Sequence, residues 1–161
     1  PLHLGVTHAG TRRMGTLKAA AGIGGLLAMG IGNTLRVSLT ADPAEEVAAG
    51  YDILRAAGAL RDGVELVCCP TCGRCRIDVI GLSEELEKRL ADIRTPLKVA
   101  VMGCAVNGPG EAREADVGVA GGDGAGLLFV RGEILHDKIP MERLADALSE
   151  LAHKMAKEKS I

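Results

Sequence analysis

A chain of 161 residues with a formal net charge of -2 holds one ordinary domain or a small domain beside part of another, and lacks the basic surplus of a general phosphate-backbone binder. Nearly half its residues are apolar and a quarter are charged, while Tyr51 and Phe129 are its only aromatics, which leaves no platform for stacking nucleic-acid bases. No run approaches the roughly 20 apolar residues of a membrane helix, and the first residues lack a signal-peptide pattern, so a cytoplasmic location is expected.

The first apolar run, 2–7, reads as a strand. Pro1 stands inside it, which fits removal of an initiator Met or, as the incomplete organisation of residues 1–60 favours, a piece of a longer enzyme. A helix follows over about 14–29, with Leu17, Ala20, Ala21, Gly24, Leu27 and Ala28 on one face, and Gly30 and Gly32 stop it. The second strand, 34–39, alternates: Leu35, Val37 and Leu39 face one way, Arg36, Ser38 and Thr40 the other. Asp42-Pro43-Ala44-Glu45 then supplies an N-cap, a proline at the first helical position and a carboxylate at the third. Val47, Tyr51 and Leu54 form that helix's expected buried stripe, and Gly58 its end.

Residues 1–60 thus read as strand–helix–strand–helix. Two such units can neither close a barrel nor bury both faces of a parallel sheet. From 61 onward the pattern becomes a compact α+β domain. A strand at 64–67 runs into a cysteine cluster, and a helix over about 83–92, capped by Ser83, turns Leu86, Leu90 and Ile93 inward. A strand at 97–102 ends in Gly103-Cys104, followed by an Asn107-Gly108-Pro109-Gly110 loop. Short strands are expected at 117–120, 127–130 and 133–135, with a hairpin turn in the Gly-rich stretch 121–126. Pro140 opens a last helix with Leu144, Leu148, Leu151 and Met155 inward.

Five cysteines stand at 68, 69, 72, 75 and 104, an odd and crowded set that argues against a secreted disulfide framework. Cys69-Pro70-Thr71-Cys72 ends one strand and Cys104 another, so thiolates from two strand ends can converge on one metal centre. Glycines nearby let backbone N–H groups approach sulfide and thiolate. The spacing alone fits an iron–sulfur site, a zinc knuckle or free thiols. Cys72-Gly73-Arg74-Cys75 is a second Cys-x-x-Cys, so spacing does not choose between the overlapping pairs. Cys68, on the opposite strand face from Cys69, reads as a core residue.

Gly103-Cys104-Ala105-Val106-Asn107-Gly108-Pro109-Gly110-Glu111 resembles the signature of the 4-hydroxy-3-methylbut-2-enyl diphosphate synthase family, and Cys69-Pro70-Thr71-Cys72 resembles that family's earlier cysteine pair. Upstream, Gly30-Ile31-Gly32 and Thr34-Leu35-Arg36-Val37-Ser38 are similar to its last barrel strand, and Pro1-Leu2-His3-Leu4-Gly5 to the strand before it. The resemblance spans nearly the whole chain and weakens after about residue 121. It implies the last two βα units of a TIM-type barrel over 1–60, then a sulfite-reductase-like α+β domain over 61–161 carrying one [4Fe–4S] cluster.

By the same resemblance, Cys69, Cys72 and Cys104 each bind one iron and Glu111 binds the fourth through oxygen. A carboxylate is the poorer partner for cluster iron and can give way to a substrate oxygen. Arg36 and Ser38 resemble substrate diphosphate contacts, a role suited to a guanidinium beside a hydroxyl. Asn107 resembles a polar contact near the cluster, though a turn-forming role fits it as well. The family's usual Thr-Glu-Ala-Gly reads Thr7-His8-Ala9-Gly10 here. A histidine can donate a proton near neutral pH in place of that catalytic glutamate, and the exchange equally fits an altered enzyme. Asn33 replaces a usual aspartate.

The implied reaction is reductive ring opening and dehydroxylation of 2-C-methyl-D-erythritol 2,4-cyclodiphosphate to 4-hydroxy-3-methylbut-2-enyl diphosphate, with flavodoxin or ferredoxin as electron donor and a homodimer as the full-length form. A non-catalytic iron–sulfur electron-transfer module and a zinc-bound structural domain are the alternatives.

Overall fold

A computed structural model describes residues 1–104 and 112–159, which fall into two compact units, Pro1–Arg61 and Asp62–Ile161. In the first unit, strands β1 (His3–Gly5) and β2 (Thr34–Arg36) pair in parallel, with Leu4 opposite Leu35 and Gly5 opposite Arg36. Asn33 ties the start of this pair together. Its side-chain oxygen accepts the Leu2 N–H at 2.8 Å, and its own N–H donates to the Leu2 carbonyl at 2.8 Å.

The connection between the strands is one helical run built of α1 (Arg12–Ala19), a π-helical stretch at Ala20–Gly24 and α2 (Gly25–Ala28). Its buried face is Gly15, Ala19 and Ile23, whereas Leu17, expected inward, is exposed, as are Ala21 and Ala28. The inward stripe recurs every fourth residue through Gly15, Ala19 and Ile23, which leaves Leu17 on another side of the helix. Gly30 and Gly32, both at positive φ, end the run, and a side chain on Gly32 would strike Leu4.

Helix α3 (Pro43–Ala56) starts as its sequence dictates: Asp42 accepts the Ala44 N–H at 2.8 Å and Pro43 opens the first turn. Glu46 reaches back to the Leu39 N–H at 2.8 Å. The helix meets the sheet through Ala49, Gly50 and Ile53, not through Val47 and Tyr51, which are exposed. Gly50 packs against Leu35 and Val37, while Val47 and Tyr51 turn outward. Val37 and Leu39 are buried as the alternation predicts.

The second unit is a five-stranded sheet in the order β3 (Val64–Cys68), β4 (Leu97–Met102), β5 (Val117–Gly121), β6 (Ala125–Val130), β7 (Glu133–Pro140). The first three strands are parallel and the last two antiparallel. Helix α4 (Val79–Arg89) crosses from β3 to β4. It begins four residues before the expected Ser83, because Asp78 takes the capping role and accepts the Gly81 N–H at 3.0 Å. Leu86, Leu90 and Ile93 are buried as predicted.

After a 3-10 turn at Met141–Arg143, α5 (Leu144–Lys159) lies beside α4 on the same sheet face. Leu144 and Leu148 are inward, while Leu151 and Met155 sit half-buried at the rim. Arg89 joins the helices through Asp146 at 2.7 Å. On the other face Phe129 is fully buried, its ring occupying the space left by the missing side chain of Gly118. β7 extends five residues beyond the expected Leu135. No described helix is long and apolar enough to cross a membrane.

Candidate functional site

In the second unit the parallel pairing sets Cys68 opposite Val101, which brings the end of β3 beside Gly103-Cys104 at the end of β4. Backbone hydrogen bonds hold the cysteine loop against that strand end. The Cys69 N–H donates to the Val101 carbonyl at 3.1 Å, and the Arg76 N–H to the Gly103 carbonyl at 2.8 Å. Between them a turn is closed by the Cys75 N–H on the Cys72 carbonyl at 3.0 Å.

Gly103 is the pivot. Its N–H donates to the Cys69 sulfur at 3.0 Å. A methyl group in place of its hydrogen would lie 2.6 Å from the Cys75 sulfur, 3.0 Å from Val79 and 3.4 Å from the Cys69 sulfur. A glycine therefore keeps open a small cradle lined by two sulfurs. Cys69, Cys75 and Cys104 are half-buried; Cys72 is exposed. The Arg74 backbone N–H, helped by its guanidinium, lowers the Cys72 thiol below its ordinary value and so favours thiolate.

The donor types suit iron: soft sulfur donors stand near two strand ends, and the Gly103 N–H points at one of them. Among the described residues, however, no three His, Cys, Asp or Glu side chains are gathered around one point as a metal ion would require. The structure sets Cys75, the cysteine to which no role was given, beside Cys69 against Gly103. The overlapping Cys-x-x-Cys was its signal in the sequence. Cys68 is exposed and not a core residue, because it is the last residue of an edge strand. Asn107 and Glu111 lie outside the described residues.

The remaining site residues belong to the first unit. Gly5 and Arg36 face each other at the C-terminal ends of two parallel strands, and the Arg36 guanidinium lies across the Gly5 backbone. Ser38 is half-buried two residues beyond Arg36, and His8 is exposed three residues beyond Gly5. The Thr40 N–H donates to the Gly10 carbonyl at 2.8 Å, so the segments leaving the two strands run together. His8, Arg36 and Ser38 thus share the strand-end edge on which βα barrels build their active sites.

The family model described as the GcpE TIM-barrel domain matches residues 1–51, and the GcpE protein C-terminal domain matches residues 65–154. Among curated proteins, the chain is 60% identical over 159 residues to the 4-hydroxy-3-methylbut-2-en-1-yl diphosphate synthase (flavodoxin) of Geobacter sulfurreducens, an alignment covering 99% of this chain and 45% of that protein. It is 58% identical to the protein of the same name from Caldanaerobacter subterraneus, over 98% of the chain and 44% of the relative. With that of Clostridium acetobutylicum it shares 60% identity over 92% of the chain and 42% of the relative. The chain spans less than half the length of these relatives.

Proposed function

We propose that this chain, which belongs to the GcpE family, supplies the closing end of a barrel and the cluster domain of an enzyme that reductively opens 2-C-methyl-D-erythritol 2,4-cyclodiphosphate to 4-hydroxy-3-methylbut-2-enyl diphosphate. In this reading residues 1–60 are the last two βα units of a TIM-type barrel, and residues 61–161 are an α+β domain akin to sulfite reductase modules. The observation that carries it is the meeting of the Cys69 loop and Gly103-Cys104 at adjacent strand ends, with the Gly103 N–H on the Cys69 sulfur.

Cys69, Cys72 and Cys104 are the thiolates that would hold a [4Fe–4S] cluster, and Glu111 is its displaceable oxygen ligand. When bound, such a cluster supplies single electrons and a Lewis-acidic iron. Arg74 favours Cys72 as thiolate, the form in which it binds metal. Arg36 and Ser38 bind the substrate diphosphate, His8 holds a proton for the departing oxygen, and Asn107 orients polar groups nearby. Flavodoxin, named in the relatives, or ferredoxin delivers the electrons. The working form is a cytoplasmic homodimer.

The test is anaerobic loading of the chain with iron and sulfide, followed by metal analysis and electron paramagnetic resonance. Four irons per chain are expected, and Cys69→Ser, Cys72→Ser and Cys104→Ser should each lose most of them. Zinc in place of iron, or iron unaffected by all three substitutions, would refute the ligand set. Joined to a complete barrel from a relative, the loaded chain should turn over the cyclic diphosphate. Alone it should not, since barrel sites draw residues from many strands. Glu111→Ala in the fusion should keep most of the iron and lose activity.

A further inference from the structure

We propose that Cys69 and Cys75 form a reversible disulfide whenever the chain carries no cluster, so that Cys75 guards a metal-binding thiol without being a ligand itself. The guarding role rests on the reading of Cys69 as a ligand; the disulfide does not. What carries it is the placement of the two sulfurs. Both stand against the same small space above Gly103, 2.6 and 3.4 Å from where its side chain would begin, so they lie no farther apart than those two lengths laid end to end.

Each sulfur is held there. Cys69 accepts the Gly103 N–H at 3.0 Å, and the Cys75 thiol donates to the Ile77 carbonyl at 3.1 Å. Val79 closes a third side of the space, and the backbone bonds of Cys69 to Val101 and of Arg76 to Gly103 fix the chain just outside both thiols. Cys68 and Cys72, by contrast, are exposed. Two thiols that border one small space can close to bonding distance by turning about their own side-chain bonds while the backbone contacts around them stand, and this favours their link.

The oxidant is a small-molecule disulfide such as oxidised glutathione. One cysteine thiolate attacks a glutathione sulfur, the glutathione S–S bond breaks, and one glutathione leaves as thiolate. The second cysteine thiolate then attacks the mixed disulfide and releases the other glutathione. Two electrons pass from the cysteine pair to the small disulfide, and the two thiol protons end on the two glutathiones. While linked, Cys69 cannot climb to the sulfinic and sulfonic acids from which a ligand is not recovered. A dithiol reductant returns it to the metal-binding form.

The whole chain, prepared free of iron, is equilibrated in glutathione redox buffers, its free thiols are alkylated, and its peptides are mapped by mass spectrometry. A Cys69–Cys75 link should be the principal product. The linked chain should fail to take up iron and sulfide until a dithiol is added. In Cys75→Ser and Cys75→Ala, both checked for native circular dichroism, Cys69 should accumulate sulfinic acid under peroxide, yet the reduced variants should load iron as the parent does. A principal link between Cys69 and Cys72 or between Cys72 and Cys75, or no link, overturns the proposal. So does a loss of iron in the reduced Cys75 variants matching that of Cys69→Ser, which would make Cys75 a ligand. If Cys69→Ser loads iron normally while the link maps as expected, the ligand reading fails and the disulfide stands.

Discussion

The two units of this chain bury their apolar surface to different degrees. Of the ten large hydrophobic side chains exposed among the described residues, seven (Leu2, Met14, Leu17, Leu26, Met29, Val47 and Tyr51) lie in the first unit, although it is much the shorter. That unit has two short parallel strands and a core of seven buried residues, Leu4, Ala19, Ile23, Val37, Leu39, Ala49 and Ile53. The second unit completes a five-stranded sheet from its own chain, covers one face with α4 and α5, and seats Phe129 on the other. A parallel βα unit is written for neighbours on both sides, whereas a sheet that ends in antiparallel hairpins can finish itself locally. Residues such as Val47 and Tyr51 then read as the face that further barrel units would cover in proteins more than twice this chain's length.

The strongest test of this contrast is Phe129→Ala. Emptying a fully buried aromatic site should destabilise the second unit by about 3–5 kcal/mol. Urea unfolding followed by circular dichroism should show two transitions, the first unit melting earlier, and the substitution should move only the later one. Ile53→Ala should move only the earlier one. A single transition shifted by both variants would mean that the units fold as one body, and the contrast would fail.

A smaller effect sharpens the same comparison from the other side. Asp42→Ala removes the side-chain bond to the Ala44 N–H and should lower the earlier transition by about 1 kcal/mol. The later transition should not move. If Asp42→Ala is silent, α3 is held by its packing on Leu35 and Val37 and not by its cap.

The contrast also explains what the sequence discloses. In the second unit periodicity picks the right inward residues, Leu86, Leu90, Ile93, Leu144 and Leu148, because each helix has a single sheet to face. In the first unit it picks Leu17, Val47 and Tyr51, which are apolar and regularly spaced but exposed here. Hydrophobic spacing reports that a face is to be covered, not what covers it. Small residues escape the same signal: Ala49 and Gly50 are buried on the inner face of α3, yet apolar spacing gives them little weight. At the site, the convergence of two strand ends could be read from Cys69, Cys72 and Cys104. The nearness of Cys75 to Cys69 could not, because it depends on how the loop folds back over Gly103.

The smallest expected effect is a pH dependence confined to the second unit. His153, on α5, contacts the Ser149 carbonyl at 2.8 Å and Asp92 at 3.1 Å, which ties α5 to the segment between α4 and β4. The Ser149 carbonyl first, and the Asp92 carboxylate after it, raise the imidazole above its ordinary value of 6.5, against the opposing effects of partial burial and of Lys157. The folded chain thus holds this proton more tightly than the unfolded chain does. Its contribution is complete below the unfolded value and is lost as pH rises through the higher folded one. Asp92 behaves in the opposite sense: His153 lowers it below 3.8, so its share is present above that value and disappears as pH falls through the folded one. The pair therefore stabilises most between the two carboxylate values and the two imidazole values. Because the Asp92 side chain is 72% exposed, screening keeps the gain small. The later urea midpoint should fall slightly as pH rises from the ordinary imidazole value of 6.5 through the higher folded one, and His153→Gln should flatten that slope while leaving the earlier transition unmoved. A slope that persists in His153→Gln would assign it to another titrating group and remove this clamp from the features that make the second unit self-sufficient.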